Sequence, residues 1–310
     1  MICTTIIPTV GRPMLTRAVE SVLAQRLPAS EFEVIVVNDS GVPLSEADWQ
    51  KSDRVQIVAT NRRERSVARN LGASIANGRY LHFLDDDDWL EPYAYRHLLQ
   101  LSQSSEAKWL YGMTQLVDRK NKPLIQLRHG LQGNCFMQVM AGEWIPLQSS
   151  WIERNTFMKI GGFNALLAGP EDIDLLRRVL LVEKIAETRN LIAHVIMGGN
   201  GSTTDYSRHP QASRQAREQI LDSSNVFHRM RSSALTPFWR GRMARVYLTS
   251  TVWNLQRRHL FTAASRISLS IASILHAGNS ILAKDFWRAI SGPYSSIAFE
   301  AGIGEAQRIK

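Results

Sequence analysis

Acidic side chains recur at three separated places in this 310-residue chain, each where a strand would end or a helix begin. They are Asp39 in VIVVNDSG, the unbroken run Asp85, Asp86, Asp87 and Asp88 in GRYLHFLDDDDWLEP, and Glu171, Asp172 and Asp174 in GPEDIDLLRRV. Four adjacent carboxylates repel one another at close range. Helix capping and turn formation account for Asp88 and Asp87. They do not account for the whole run, which is pinned between the apolar stretch Tyr80–Leu84 and Trp89-Leu90. Taken singly, Asp39 reads as a turn-capping residue, and Glu171 and Asp172 read as first-turn acids that complement a helix dipole. Together they suit a more specific chemistry. A carboxylate after a second strand can meet a base or ribose, an acidic run can hold a hard divalent cation, and a further acid can serve as general base.

These acids need a scaffold that delivers them to one place. Ile2–Pro8 is a β-branched run that reads as a first strand, closed by a turn at Gly11-Arg12-Pro13. Residues 14–25 suit an amphipathic helix with Leu15, Val19, Val22 and Leu23 on one face. Residues 32–41 and 54–60 read as further strands, 65–77 as a helix, and Tyr80–Leu84 as a strand leading into the Asp run. Later strands are expected near 108–117, 123–128 and from 190, with a Gly-rich, hydroxyl-rich loop reaching 206. The alternation predicts an α/β fold, a mostly parallel sheet covered by helices on both faces. In such sheets, ligands bind beyond the carboxyl ends of the strands.

The totals narrow the class. Hydrophobic residues at 44% and charged residues at 21% describe an ordinary globular protein. Cys3 and Cys135 form no CxxC pattern, which points away from a disulfide framework or structural zinc and toward a reducing compartment. The start MICTTIIPTV lacks the basic segment of a signal peptide, and no long uninterrupted apolar run predicts a spanning helix. The net charge of +9 is unevenly placed: residues 1–200 balance, whereas residues 201–310 carry 15 basic and 6 acidic side chains.

The pieces IIPTVGRP, VIVVNDSG, SVARNLGASIANGRYLHFLDDDDWLEP and IGGFN…GPEDIDLLRRV, in that order and spacing, resemble the family 2 glycosyltransferases of GT-A fold. The resemblance covers residues 1–206 or so. It implies a Rossmann-like GT-A catalytic domain over 1–206 and inverting transfer of a sugar from a nucleotide-sugar donor, with Mn or Mg as cofactor. It implies further that Thr9 and Asp39 lie against the nucleobase with Arg69 nearby, and that Asp85 and Asp87 are the two acids of the D-x-D motif. Asp85 would then face ribose and metal, Asp86 would fill the variable position in the nucleotide-sugar site, and Asp87 would be the firmest metal ligand. Asp172 becomes the expected catalytic base, Glu171 its neighbour, and His194, or His209, a further contact to metal or diphosphate. Two departures stand out. Val10-Gly11 follows the first PT where relatives carry Tyr or Asn, and QRRHL at 256–260 does not fit the Q-x-x-R-W motif of processive synthases. A single-addition enzyme is therefore expected, acting on a glycan or lipid-linked acceptor in bacterial-type surface polysaccharide synthesis. A nucleotidyltransferase and a non-catalytic sugar- or metal-binding protein are the competing readings.

Residues 207–310 read as a basic helical C-terminal extension, with three or four helices over 210–290 broken at Thr236-Pro237 and Gly278. Between Asp222 and Asp285 lie nine basic residues and no acid. Two uses of this tail stay open. It is either a helical subdomain with a solvated basic face, or a peripheral anchor to an anionic membrane on the cytoplasmic side, with Arg240, Arg242 and Arg245 among the contacts. No nucleic-acid-binding module is recognised.

Overall fold

The computed structural model describes residues 1–167, 169–197 and 210–292. The chain divides into two compact units, one of residues 1–133 and 145–213, the other of 134–144 and 214–310. The second unit thus takes in a short piece from the middle of the chain.

The first unit is an α/β fold. Its parallel half is built from β1 (Cys3–Thr9), β2 (Phe32–Asn38), β3 (Val55–Ala59) and β4 (Tyr80–Phe83), in spatial order β3-β2-β1-β4. The helices α1 (Leu15–Leu23), α2 (Arg65–Ile75) and α3 (Ala94–Ser104) connect or follow these strands. Leu15, Ala18, Val19 and Val22 form the buried face of α1, close to the apolar stripe that the sequence spacing predicts. Beyond β4 the sheet becomes mixed. It continues through β8 (Ser150–Glu153), antiparallel to β4, then β6 (Trp109–Val117), β9 (Ile185–Ile196) and the two-residue β5 (Trp89–Leu90), with β7 (Pro123–Leu127) paired to β6. The helices α5 (Arg154–Lys159) and α6 (Glu171–Val182) complete this unit.

Register is what assembles the site. Thr9 lies opposite Asn38 at the carboxyl ends of β1 and β2, and the Asp39 amide donates to the Thr9 carbonyl at 2.9 Å. Ile6 lies opposite Phe83, so the Asp run leaves β4 at the same edge. At the amino ends of these strands, Tyr95 packs on Phe32 and Trp151, and Trp151 stacks on Tyr80. The turn after α5 is held close to α2. Gly162 sits at φ +66°, where a Cβ would meet Asn70 Oδ1 at 2.6 Å, and Asn70 brackets the Phe163 amide and carbonyl. Glycine is required there on both counts.

The second unit, among described residues, comprises α4 (Phe136–Met140), α7 (Pro210–Leu221) from Arg214 onward, α8 (Val226–Ser233), α9 (Pro237–Gln256), α10 (Leu260–His276) and α11 (Lys284–Ser291). The expected breaks fall in place: Thr236 caps α9 with its hydroxyl and Gly278 at φ +53° follows α10. Two further breaks, at Ser223–Asn225 and Arg257–His259, raise the helix number above the three or four read from sequence. Arg240, Arg242 and Arg245 turn inward, which does not suit their use as membrane contacts. Arg240 donates to the Ala277 carbonyl at 3.0 Å, Arg242 is buried, and Arg245 donates to the Ile290 carbonyl at 2.8 Å. A guanidinium offers five donors, and a helix C-terminus leaves carbonyls that need them. Both cysteines are buried and neither is in a disulfide. Among described residues no helix is long and apolar enough to cross a membrane.

Candidate active site

The four aspartates of the run do not share one environment. Asp85 accepts from Arg69 Nη2 at 2.6 Å and from Gln148 Nε2 at 2.8 Å. Asp86 accepts from the Thr9 hydroxyl at 2.6 Å and from Arg12 Nη1 at 3.0 Å. The same Arg12 nitrogen reaches Asp87 at 3.0 Å, and Arg17 donates to the Asp87 carbonyl. Asp88 is buried and accepts the Ile196 amide at 2.9 Å, which ties the loop to the end of β9. The repulsion in the run is therefore relieved unequally. Burial would push Asp85 up, but Arg69 and Arg65 outweigh it and hold its carboxyl below the usual range. Burial, with Asp85 adding to it, pushes Asp87 up to about 6. Burial, then the charges of Asp85 and Asp87, push Asp88 well above the usual carboxylate range.

Oxygens of Asp85, Asp87 and Asp88 lie within 4.8 Å of one another. Such a group fits a hard divalent cation: the donors are all oxygen, and two of the three carboxyls are driven toward protonation by burial and then by neighbouring carboxylates. His194 stands apart from this group. Its Nε2 meets Glu91 at 2.6 Å and its ring stacks on Trp89, over which the Arg17 guanidinium also lies, 3.8 Å from the ring centroid. His209 and the Gly-rich loop lie outside the described residues.

Helix α6 brings the third acidic group. Glu171 is buried and pairs with Arg69 at 3.0 Å and Arg65 at 3.7 Å. Arg65 and Arg69 are one helical turn apart on α2, the spacing that puts both on one face. The N-terminus of α2 is capped by Glu64, whose carboxylate accepts from the Ser66 and Val67 amides. Arg69 thus bridges Asp85 and Glu171, and both of its Nη atoms are engaged by carboxylates. Asp172 accepts its neighbour's amide from Ile173 at 2.7 Å, and burial, then the charge of Glu171, pushes its carboxyl up to about 7. Asp174 is occupied otherwise, in an ion pair with Arg178 at 2.7 Å. Asp39 is buried beside Thr9, and burial raises its carboxyl despite Arg63.

The structure therefore collects Thr9, Asp39, Arg69, Asp85, Asp86, Asp87, Glu171 and Asp172 at one edge of the sheet. It adds Arg12, Arg65 and Gln148, to which the sequence motifs assign no role, and Asp88, which continues the acidic motif. The spacing of Arg65 from Arg69 is a signal for the first of the α2 pair. Gln148 sits in a single 3₁₀ turn, Leu147–Ser149, too short to carry a signal.

Residues 4–168, just over half the chain, match the family model described as glycosyl transferase family 2, and the chain belongs to that family. An uncharacterized glycosyltransferase of Haemophilus influenzae is 26% identical over 179 residues, covering 56% of this chain and 60% of that protein. The poly(ribitol-phosphate) β-N-acetylglucosaminyltransferase TarP of Staphylococcus aureus is 29% identical over 103 residues, 32% of each chain. The matches span 60% or less of the length of the first curated relatives. Among solved structures, residues 1–349 of S. aureus TarS in complex with UDP-GlcNAc superpose with a TM-score of 0.63 at 13% identity, over 89% of this chain and 92% of that one. That likeness shows a shared fold, the GT-A arrangement that the sequence motifs imply.

Proposed function

We propose that the protein is an inverting glycosyltransferase that moves a sugar from a nucleotide-sugar donor to a hydroxyl of a glycan or lipid-linked acceptor, in surface polysaccharide assembly at the cytoplasmic face of the membrane. The observation that carries this is Asp172. It is a carboxylate raised to about 7 at the start of α6, linked through Glu171 and Arg69 to Asp85 of the acidic run. A base works best when its pKa lies near the operating pH. Asp172 would take the proton of the acceptor hydroxyl as that oxygen bonds to the anomeric carbon and the bond from this carbon to the diphosphate oxygen breaks. Attack and departure on opposite faces invert the centre.

Asp85 and Asp87, with Asp88 beside them, would hold a divalent ion such as Mg²⁺ or Mn²⁺. When bound, the ion supplies Lewis-acid neutralisation of the leaving diphosphate. Thr9 and Asp39 would meet the nucleobase end of the donor. Arg69 would act through Asp85 and Glu171, fixing both against the α2 face. Relatives support the substrate class. TarS has been seen with UDP-GlcNAc and with UDP, and a Bacillus subtilis relative is the minor teichoic acid biosynthesis protein GgaB.

The test is donor binding and sugar transfer with a panel of nucleotide sugars, with and without EDTA, for the wild type and Asp172→Asn. The variant should bind donor normally and lose about 10²–10⁴ in transfer rate. A wild-type protein that binds no nucleotide sugar sinks the reading. A variant that transfers at the wild-type rate removes Asp172 as the base.

A further inference from the structure

Helix α10 is amphipathic in the reverse sense. The residues it turns inward are small or polar: Ala263, Arg266, Ser270, Ser273 and Ala277 are all buried. Ser270 donates to the Ala244 carbonyl of α9, and Arg266 pairs with Asp222 of the segment after α7. The outward face carries the large apolar side chains. Phe261 is 95% exposed, Leu275 74%, Leu260 64% and Ile271 52%. Helix α9 adds exposed Val252 and Leu255 as it runs into the turn. At that turn Arg257, Arg258 and His259 are exposed, and Arg257 lies over the Trp253 ring. Soluble helices place apolar side chains toward their own core, so an apolar ridge facing outward beside a cationic turn needs a partner.

We infer that the α9–α10 hairpin is a docking surface for an anionic lipid leaflet, with α10 lying in the interface plane. An interfacial helix sinks its apolar face to the headgroup boundary while neighbouring cations meet anionic lipid. The charge pattern selects this occupant. A second copy joined through the same face brings the same arginines, and residues 223–284 contain no carboxylate to meet them. An anionic leaflet supplies the missing counter-charge. Arg240, Arg242 and Arg245 are excluded from the contact because they bind carbonyls within their own unit. The inference stands on this unit alone and does not depend on the sugar-transfer reading.

The experiment is flotation of the full chain with phosphatidylcholine vesicles, with and without phosphatidylglycerol, alongside light scattering of the protein alone. Wild type should bind the anionic vesicles at low salt and release near 1 M salt, where the screening length falls to about 3 Å. Arg257→Gln with Arg258→Gln should weaken binding roughly 25-fold, from about fivefold per cation. Phe261→Ser with Ile271→Ser should weaken it by a factor of about 10² or more through lost apolar burial. All four side chains are on the surface, so thermal melts should stay put. Wild type that ignores anionic vesicles, or binding that neither double variant reduces, overturns the inference. A stable dimer that Phe261→Ser with Ile271→Ser splits, without vesicle binding, assigns the face to a second copy and overturns it equally.

Discussion

Replacing Asp87 by Asn should stabilise the metal-free protein while removing its response to divalent ions. Asp87 is held at about 6, against a usual 3.8, by burial and then by Asp85. An acid with a raised folded pKa costs nothing below the unfolded value, where it is protonated in both states. The cost grows as pH climbs from about 4 to 6 and is complete above that. Two units of pKa correspond to about 3 kcal/mol, with Asp87 19% exposed. That pKa already includes the opposing pull of Arg12, so Asn, which stands in for the protonated acid, removes the whole cost. The gain at pH 7.5 is about 3 kcal/mol, or a Tm higher by about 6–12 °C for a unit of this size. At pH 4 the two proteins should melt together. Added Mn²⁺ should then raise the wild-type Tm with concentration and leave the variant nearly unmoved, since ligand stabilisation follows occupancy. Differential scanning calorimetry after EDTA treatment, across pH 4–8, reads both effects. A variant that melts below wild type at pH 7.5, or whose advantage is the same at pH 4, would refute the view that the run is strained when metal-free.

Arg69→Met should act in the opposite direction. It strands Asp85 and buried Glu171, and breaking such a pair costs about 3–5 kcal/mol. Asp85 has a depressed folded pKa, so its contribution is present above about 4 and lost as pH falls through the lower folded value. The gap between variant and wild type in thermal melts should therefore be widest near neutrality and narrow below pH 4. Changing Arg240, Arg242 and Arg245 together to Glu should lower the Tm by several degrees with no gain or loss of vesicle binding attributable to surface charge. Unchanged melting of that triple variant would contradict the carbonyl contacts assigned to these side chains.

How much of the fold is legible in the sequence follows from how local each feature is. The parallel strands announce themselves as β-branched runs ending in turns, and that pattern alone places Thr9, Asp39 and Asp85 at one sheet edge. The strands β5 and β8 have two and four residues, too short for a periodicity, and exist because β9 and β4 pair with them. The same limit governs the site. Asp87 and Asp172 are visible as acids at element boundaries, but which cation answers each is decided by packing. Arg12, in a turn that reads only as a turn, reaches an acid 75 positions away, and Gln148 reaches one 63 positions away.

The helical tail shows the sharper form of this limit. Spacing in the sequence puts Ile267, Ile271 and Leu275 on one face of a helix, and convention would send that face inward. Periodicity fixes a face but carries no sign. The sign is set by what the opposite face can bond to: Ser270 finds the Ala244 carbonyl, and Arg266 finds Asp222. With those polar contacts made inside, the apolar side must look outward. The arginines show the same inversion, since Arg240 and Arg245, which composition alone makes surface cations, are drawn in by unpaired helix-end carbonyls. Arg257 and Arg258 place exposed basic charge at the turn next to the apolar ridge, and that adjacency gives the face its character.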